Sequence, residues 1–219
     1  MDAYVSRWHF IINRCAGKSV LHLGCVGITE GTTEQKLDAW KKGQVLHPHL
    51  RKVCKDIVGI DYDYTTVMAL RDLGHSELLI GDVTKLESID IQRQFDIILC
   101  GDLIEHLSNP GLMLEGIKRF MDNDSELLIT TPNAFGLLHF IKWVAGCFKE
   151  GNDHVLSFQI YTLSNLLRRH GFSNNRVHTC YNRPPTRFSD FLKYIVGIPV
   201  FKIFPRFGGT LLVIAKLKA

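Results

Sequence analysis

The chain is short of the features that would place it at once. Its six cysteines, Cys15, Cys25, Cys54, Cys100, Cys147 and Cys180, never stand as a Cys-x-x-Cys pair, which excludes the ordinary zinc-ligand spacings. Several lie in apolar runs such as Ile97-Ile-Leu-Cys100, where cysteine behaves as a small hydrophobe and suits a reducing compartment. There is no block of like charge, and a net charge of +4 on 219 residues gives no argument for nucleic acid. The opening Met1-Asp-Ala-Tyr4 lacks a charged segment followed by an apolar run, so no secretory leader is expected. The longest apolar stretches, about 14 residues and interrupted by lysine, fall short of the roughly 20 that span a bilayer. There is no internal repeat and no low-complexity linker. Together these absences predict one cytoplasmic domain, long enough to bury a full core without metal or disulfide.

What is present is an alternation of short apolar runs with helical patterns, the mark of strands joined by crossover helices. Ser19–Leu23, Asp56–Ile60, Glu77–Ile80, Phe95–Cys100 and Glu126–Thr131 read as five strands. Their apolar residues run on rather than alternate, as in strands covered on both faces. Helices are predicted from Tyr64 to Leu73, stopped by Gly74, from Pro110 to about Met121, and from Thr162 to His170, stopped by Gly171. Asn175–Tyr181 and Thr210–Lys216 read as two more strands. The expected fold is α/β, a seven-stranded, mostly parallel, doubly wound sheet with the last strand antiparallel. Two stretches lengthen the connections: Ile28–Val45, before the second strand, and Arg183–Gly209, before the last.

In such sheets ligands bind beyond the carboxyl ends of the strands, where the order reverses. The residues at those ends are Gly24-Cys25-Val26-Gly27, Asp61-Tyr62-Asp63, Gly81-Asp82-Val83 and Gly101-Asp102. Glycine lets backbone approach a ligand without a Cβ in the way. An acid after the second strand can accept from both hydroxyls of a ribose. Asp82 can accept from the amine of adenine, and backbone at Gly101 can reach an ammonium. The set describes a nucleoside joined to an amino acid. A dinucleotide site is disfavoured, because Gly24, Gly27 and Gly31 do not follow Gly-x-Gly-x-x-Gly into a helix.

Six ordered stretches carry a resemblance: Val20-Leu-His-Leu-Gly-Cys25, Val58-Gly-Ile-Asp61, Gly81-Asp-Val83, Phe95 through Glu105-His106-Leu107, Leu127-Leu-Ile-Thr-Thr-Pro-Asn133 and His170-Gly-Phe172. In this order they resemble the class I, Rossmann-like S-adenosylmethionine-dependent methyltransferases, nearest the small-molecule branch with a Glu-His pair after strand four. The resemblance covers about residues 17 to 182 and the last strand. It implies S-adenosylmethionine as cofactor and S-adenosylhomocysteine as product. It places Gly24, Cys25 and Val26 against the methionine moiety, Asp61 and Tyr62 at the ribose, Asp82 and Val83 around the adenine, and Gly101 and Asp102 at the methionine backbone. The chain departs from the family pattern in three ways. His22 stands where an acid is usual, Val26-Gly27-Ile28 replaces a richer glycine turn, and Gly24 and Asp61 lie unusually far apart.

Each singled-out residue has a plainer reading beside the functional one. Asp61 binds ribose or caps the next helix; Asp82 meets adenine or is a turn residue. His106 is a general base or a backbone-bonded histidine that holds its loop. His154 borders the acceptor, as does Asn133, or caps the following helix. Glu105, His106 and His154 admit a metal on residue type, but groups of this kind are usually not ligands and no metal is expected. His47-Pro-His49 reads as a helix start, and Trp40 either covers the methionine end or packs its insert onto the domain. Phe135–Phe148 is a buried helix or one wall of an apolar acceptor pocket. Arg183–Gly209, apolar and basic, reads as two short helices forming a cap, with weak contact to a membrane surface as a further possibility.

The function expected is methyl transfer to an oxygen or nitrogen of a small-molecule, sugar-like or lipid-linked acceptor, with His106 as base. The partners expected are that acceptor and no nucleic acid, since there is neither an Asn-Pro-Pro-Tyr-like motif nor an appended basic domain. The competing reading is a methyltransferase fold that serves as a non-catalytic binding or scaffold protein.

Overall fold

The continuous apolar runs become strands buried on both faces, with successive side chains pointing to opposite faces as a pleat requires. The computed structural model describes residues 4–147, 151, 153–181, 199 and 201–218. In chain order the elements are β1 (Tyr4–Ser6), α1 (Arg7–Cys15), β2 (Ser19–Leu23), α2 (Thr33–Lys41), α3 (His47–Arg51), β3 (Asp56–Asp61), α4 (Tyr64–Asp72), β4 (Leu78–Ile80), β5 (Ile97–Gly101), α5 (Pro110–Gly116), β6 (Glu126–Pro132), α6 (Leu137–Val144), α7 (Ile160–Arg169), β7 (Phe172–Tyr181) and β8 (Thr210–Leu217). One sheet holds eight strands in the order β1-β7-β8-β6-β5-β2-β3-β4. β8 runs antiparallel to both its neighbours and the other pairs are parallel.

Leu21, Leu23, Ile98, Cys100, Leu127, Ile129, Leu211 and Val213 face one layer, packed with Met113 and Leu114 of α5 and Leu163 and Leu167 of α7. Val20, Ile97, Leu99, Leu128, Leu212 and Ile214 face the other, against Ile11 and Cys15 of α1 and Leu50 of α3. Truncating one of these leucines to alanine removes buried surface and leaves a void, typically a loss of about 2–5 kcal/mol.

The sheet has eight strands rather than the seven expected. The additional strand, β1, is three residues long and pairs with β7 from Tyr4↔Thr179 to Ser6↔Tyr181. A strand that short carries no period of its own and exists because the edge of β7 completes it. Boundaries move for local reasons. α7 starts at Ile160, with Gln159 and Thr162 forming a reciprocal cap, so Thr162 lies inside the helix rather than at its start. β7 begins at Phe172, with a register shift between Ser173 and Arg176. α5 ends at Gly116 and tightens into a 3-10 turn over Ile117–Phe120.

The two lengthened connections fare differently. Half of Ile28–Val45 is α2, opened by a capping box between Thr32 and Gln35. Trp40 is buried and donates from its indole to His75 Nε2 at 3.1 Å; it packs the insert onto the domain. α3 begins at His47 with Pro48 in its first turn, as expected. Arg183–Gly209 lies largely outside the described residues. Its described part includes a 3-10 turn at Pro205–Phe207. The expectation of a buried helix at Phe135–Phe148 is corrected: α6 forms, but none of its residues is buried.

Candidate active site

The chain runs β2, β3, β4 outward in one direction and returns to β5 on the other side of β2. The reversal lies between β2 and β5, and parallel pairing brings the ends of β5, β2, β3 and β4 to one edge. That is where an open α/β sheet leaves a crevice. Gly24 closes β2 with φ of +70°, and its N–H donates to the Ile60 carbonyl at 2.9 Å. A Cβ at Gly24 would stand 3.2 Å from Leu103 Cδ1, so glycine permits both the turn and the close approach of the loop after β5. Cys25 and Val26 are buried beneath this turn, packed with Trp40.

Asp61 ends β3 and is buried. Its Oδ2 accepts from Val26 N–H at 2.9 Å and its Oδ1 from Asp63 N–H at 3.1 Å. Burial pushes its carboxyl above the usual range, against the pull of these two donors. A carboxylate offers about four acceptor positions, so capacity remains on each oxygen. The helix-capping role belongs to Asp63, which accepts from Thr66 N–H at 3.1 Å. Tyr62 is exposed beside it. Asp82 Oδ1 accepts from Thr84 N–H at 2.8 Å and from the Thr84 hydroxyl at 2.7 Å. These bonds make it a turn residue, hold its carboxyl below the usual range and leave Oδ2 facing Lys85 at 3.8 Å. Val83 is buried in the core.

At the end of β5, a Cβ on Gly101 would find only Thr130 Oγ1, at 3.7 Å. Asp102 follows with φ of +49°, among the described residues the one non-glycine in the left-handed region, a conformation that costs energy and is held by its surroundings. Its N–H donates to the Thr130 carbonyl at 2.9 Å, and its Oδ1 accepts from the Thr130 hydroxyl at 2.9 Å. Its other oxygen is ion-paired with Arg7, the first residue of α1. Nothing in the sequence pattern marked Arg7, because it reaches the site only through the pairing of β1 with β7.

His22 does not face this crevice. On the other side of β2 it is buried with Nδ1 3.1 Å from His47 Nδ1, its ring stacked on His47, which stacks in turn on Trp40. Burial pushes His22 down to about 3 and His47 well below the ordinary histidine value, so both are neutral. The position where the resemblance implies an acid is given over to packing β2 against α3.

Glu105, His106 and His154 come together beyond β5. One ligand atom from each lies within 4.8 Å of the others, and the two rings meet edge to face with centroids 4.8 Å apart. Backbone fixes the arrangement: the Glu105 carbonyl accepts from Val155 and Leu156 N–H at 3.0 and 3.1 Å. His106 Nδ1 lies 3.1 Å from the Asp153 carbonyl. A carbonyl can only accept, so Nδ1 carries the proton and the neutral ring keeps its lone pair on Nε2. Glu105 is 1% exposed and, among the described residues, neither carboxylate oxygen meets a donor in good geometry, although Thr131 lies beside it. Burial first, and the charge of Asp102 second, raise its carboxyl to about 7. One carboxylate and two imidazoles are also a donor set that borderline divalent cations accept.

Asn133 is engaged elsewhere. Its amide donates to the Gly208 and Arg206 carbonyls at 2.8 and 3.1 Å and accepts from Phe135 N–H at 3.2 Å. It ties the end of β6 to the segment before β8 rather than presenting polar atoms to an acceptor.

A family model described as a methyltransferase domain matches residues 41–177, more than half of the chain. A curated relative from Glaesserella parasuis serovar 5, a ubiquinone biosynthesis O-methyltransferase, is 24% identical over 129 residues. The match covers 55% of this chain and 48% of the relative, so the chain spans about half the length of that protein. Among solved structures, a SAM-dependent methyltransferase from Archaeoglobus fulgidus superposes with a TM-score of 0.57 at 17% identity, covering 96% of this chain and 91% of the other. A SAM-dependent methyltransferase from Thermotoga maritima, described as a possible histamine N-methyltransferase, gives 0.59 at 16% identity, with 97% and 94% covered. At these identities the likeness is one of fold.

Proposed function

The chain belongs to the methyltransferase domain family, and from that premise we propose that it transfers the methyl group of S-adenosylmethionine to an oxygen or nitrogen of a small-molecule, sugar-like or lipid-linked acceptor, releasing S-adenosylhomocysteine. The observation that carries this reading is the buried Asp61 carboxylate beside the Gly24–Val26 turn, with acceptor capacity left over for the two hydroxyls of a ribose. The open side of Gly101 suits the amino-acid end of the cofactor, with Arg7 and Asp102 beside it as partners for its carboxylate and ammonium groups. The name of the matched O-methyltransferase supports an oxygen acceptor.

Bound there, the cofactor supplies an electrophilic methyl group on a sulfonium. The protein's contribution is alignment and a preorganised electrostatic setting. His106 Nε2 would take the proton of an acceptor hydroxyl as its oxygen bonds to the methyl carbon, or the proton of an acceptor ammonium before its nitrogen attacks; the electron pair of the broken carbon–sulfur bond would stay on sulfur. The test is transfer from methyl-labelled S-adenosylmethionine to a panel of hydroxyl- and amine-bearing acceptors, followed by mass spectrometry. His106→Ala should lower turnover by about 10²- to 10⁴-fold and leave cofactor affinity unchanged. Cofactor binding with no transfer to any acceptor would favour the scaffold reading.

The grouping of Glu105, His106 and His154 favours a second reading of the same residues, in which they hold a divalent cation that binds the acceptor oxygen. Elemental analysis of the purified protein separates the two. A stoichiometric metal lost in Glu105→Gln supports the cation, and turnover unaffected by chelation supports His106 as base.

A further inference from the structure

α6 sits on the surface with its apolar side chains in solvent. Phe140, Ile141 and Trp143 are each more than half exposed, Trp143 at 69%. Beside the start of α6 runs the segment before β8, with Ile203 and Phe204 exposed as well. The two stretches are joined by the bond from Asn133 to the Gly208 carbonyl and by the close approach of Gly136 to Gly209, where an added Cβ would stand 3.0 Å from Cα. Large apolar side chains exposed together on two adjoining segments mark a binding face rather than ordinary scatter.

The charges decide what it binds. Residues 137–147 and 201–209 contain Lys142, Lys202 and Arg206, all exposed, and no aspartate or glutamate. A second copy meeting this face symmetrically would set these cations against one another. An anionic lipid surface satisfies both halves: apolar rings enter the interfacial layer, tryptophan takes the position it prefers there, and the basic groups reach the headgroups. No helix among the described residues is long and apolar enough to cross a membrane, so the contact lies on the surface.

We propose that α6 and the segment 201–207 form a docking face for anionic bilayer surfaces. The face follows directly on Asn133, whose neighbour Ala134 bonds to the Phe158 carbonyl, in the stretch that includes His154 and closes on Glu105. It therefore borders the acceptor side of the site. Resting on the methyltransferase reading above, this placement selects acceptors that reside in a membrane.

The test is sedimentation with vesicles of phosphatidylcholine alone and of phosphatidylcholine with phosphatidylglycerol, at low and high salt, without cofactor or acceptor. The expected result is binding to the anionic vesicles only, weakened by salt, with Trp143 emission shifting to shorter wavelength. Removing the cations in Lys142→Gln, Lys202→Gln and Arg206→Gln should weaken binding about fivefold for each, and Ile141→Glu with Trp143→Glu should abolish it. These positions are exposed, so the variants should keep the wild-type melting temperature and cofactor affinity, which is titrated separately and reports on the methyltransferase reading alone. Absence of vesicle binding at low salt would overturn the proposal. So would binding that survives all these substitutions, or a dimer in sedimentation velocity that the same substitutions disperse.

Discussion

At the scale of single residues, two buried titratable sites act on stability in opposite directions. Glu105 has its carboxyl raised to about 7 from an ordinary 4.5 by burial and the charge of Asp102. The native state then holds the proton more tightly than the unfolded chain. The stabilisation is complete below about pH 4.5 and is lost as pH rises towards about 7, a change of about 3 kcal/mol. Glu105→Gln should therefore match wild type in urea unfolding at pH 4 and exceed it at pH 8. A wild-type protein equally stable at both, relative to this variant, would contradict the burial argument. His22 lies on the opposite side of the balance. Its neutral form is favoured down to about 3, and His47 shifts the same way. Stability from these histidines is complete above about pH 6.5 and lost as pH falls towards 3. The pair His22→Leu and His47→Leu should flatten the acid limb, measured as a smaller change in unfolding free energy between about pH 6.5 and 4. At this scale the sequence pointed to Gly24, Asp61, Gly101 and His106, because strand ends and residue chemistry identify them locally. It did not point to Arg7, or to the deep burial of Glu105, because both depend on which distant segments pack together.

At the scale of elements, the strands were legible because a strand covered on both faces leaves an unbroken apolar run, as at Phe95–Cys100. The helix over Phe135–Phe148 was legible as a helix but not in its placement. Apolar composition nearly all round reads as burial, yet α6 has no element over it among the described residues and none of its residues is buried. β1 was not legible, since three residues have no periodicity. The insert before β3 is held by one aromatic anchor. Trp40 packs with Cys25, Val26 and Val45 and bonds to His75. Trp40→Ala should cost about 3–5 kcal/mol, read as a lower denaturation midpoint. Because Val26 N–H positions Asp61, it should also weaken cofactor binding. Trp40→Phe, which keeps most of the packing, should lose much less. Loss of stability with cofactor affinity intact would separate the insert from the site.

At the scale of the whole molecule, the sheet order places the switch between β2 and β5, so the Gly24 turn, Asp61 and Gly101 share one edge, and His106 and His154 come together from the loops after β5 and α6. The proposed reaction requires that edge to hold a nucleoside joined to an amino acid. Isothermal titration of the wild-type protein and of Asp61→Ala with S-adenosylmethionine and S-adenosylhomocysteine tests it most directly. The prediction is saturable binding of both ligands to wild type. In Asp61→Ala the loss of charge-assisted bonds to ribose should weaken both by about 10- to 100-fold, or roughly 1.5–3 kcal/mol. Equal affinity in the two proteins, or no binding by the wild type, would contradict it.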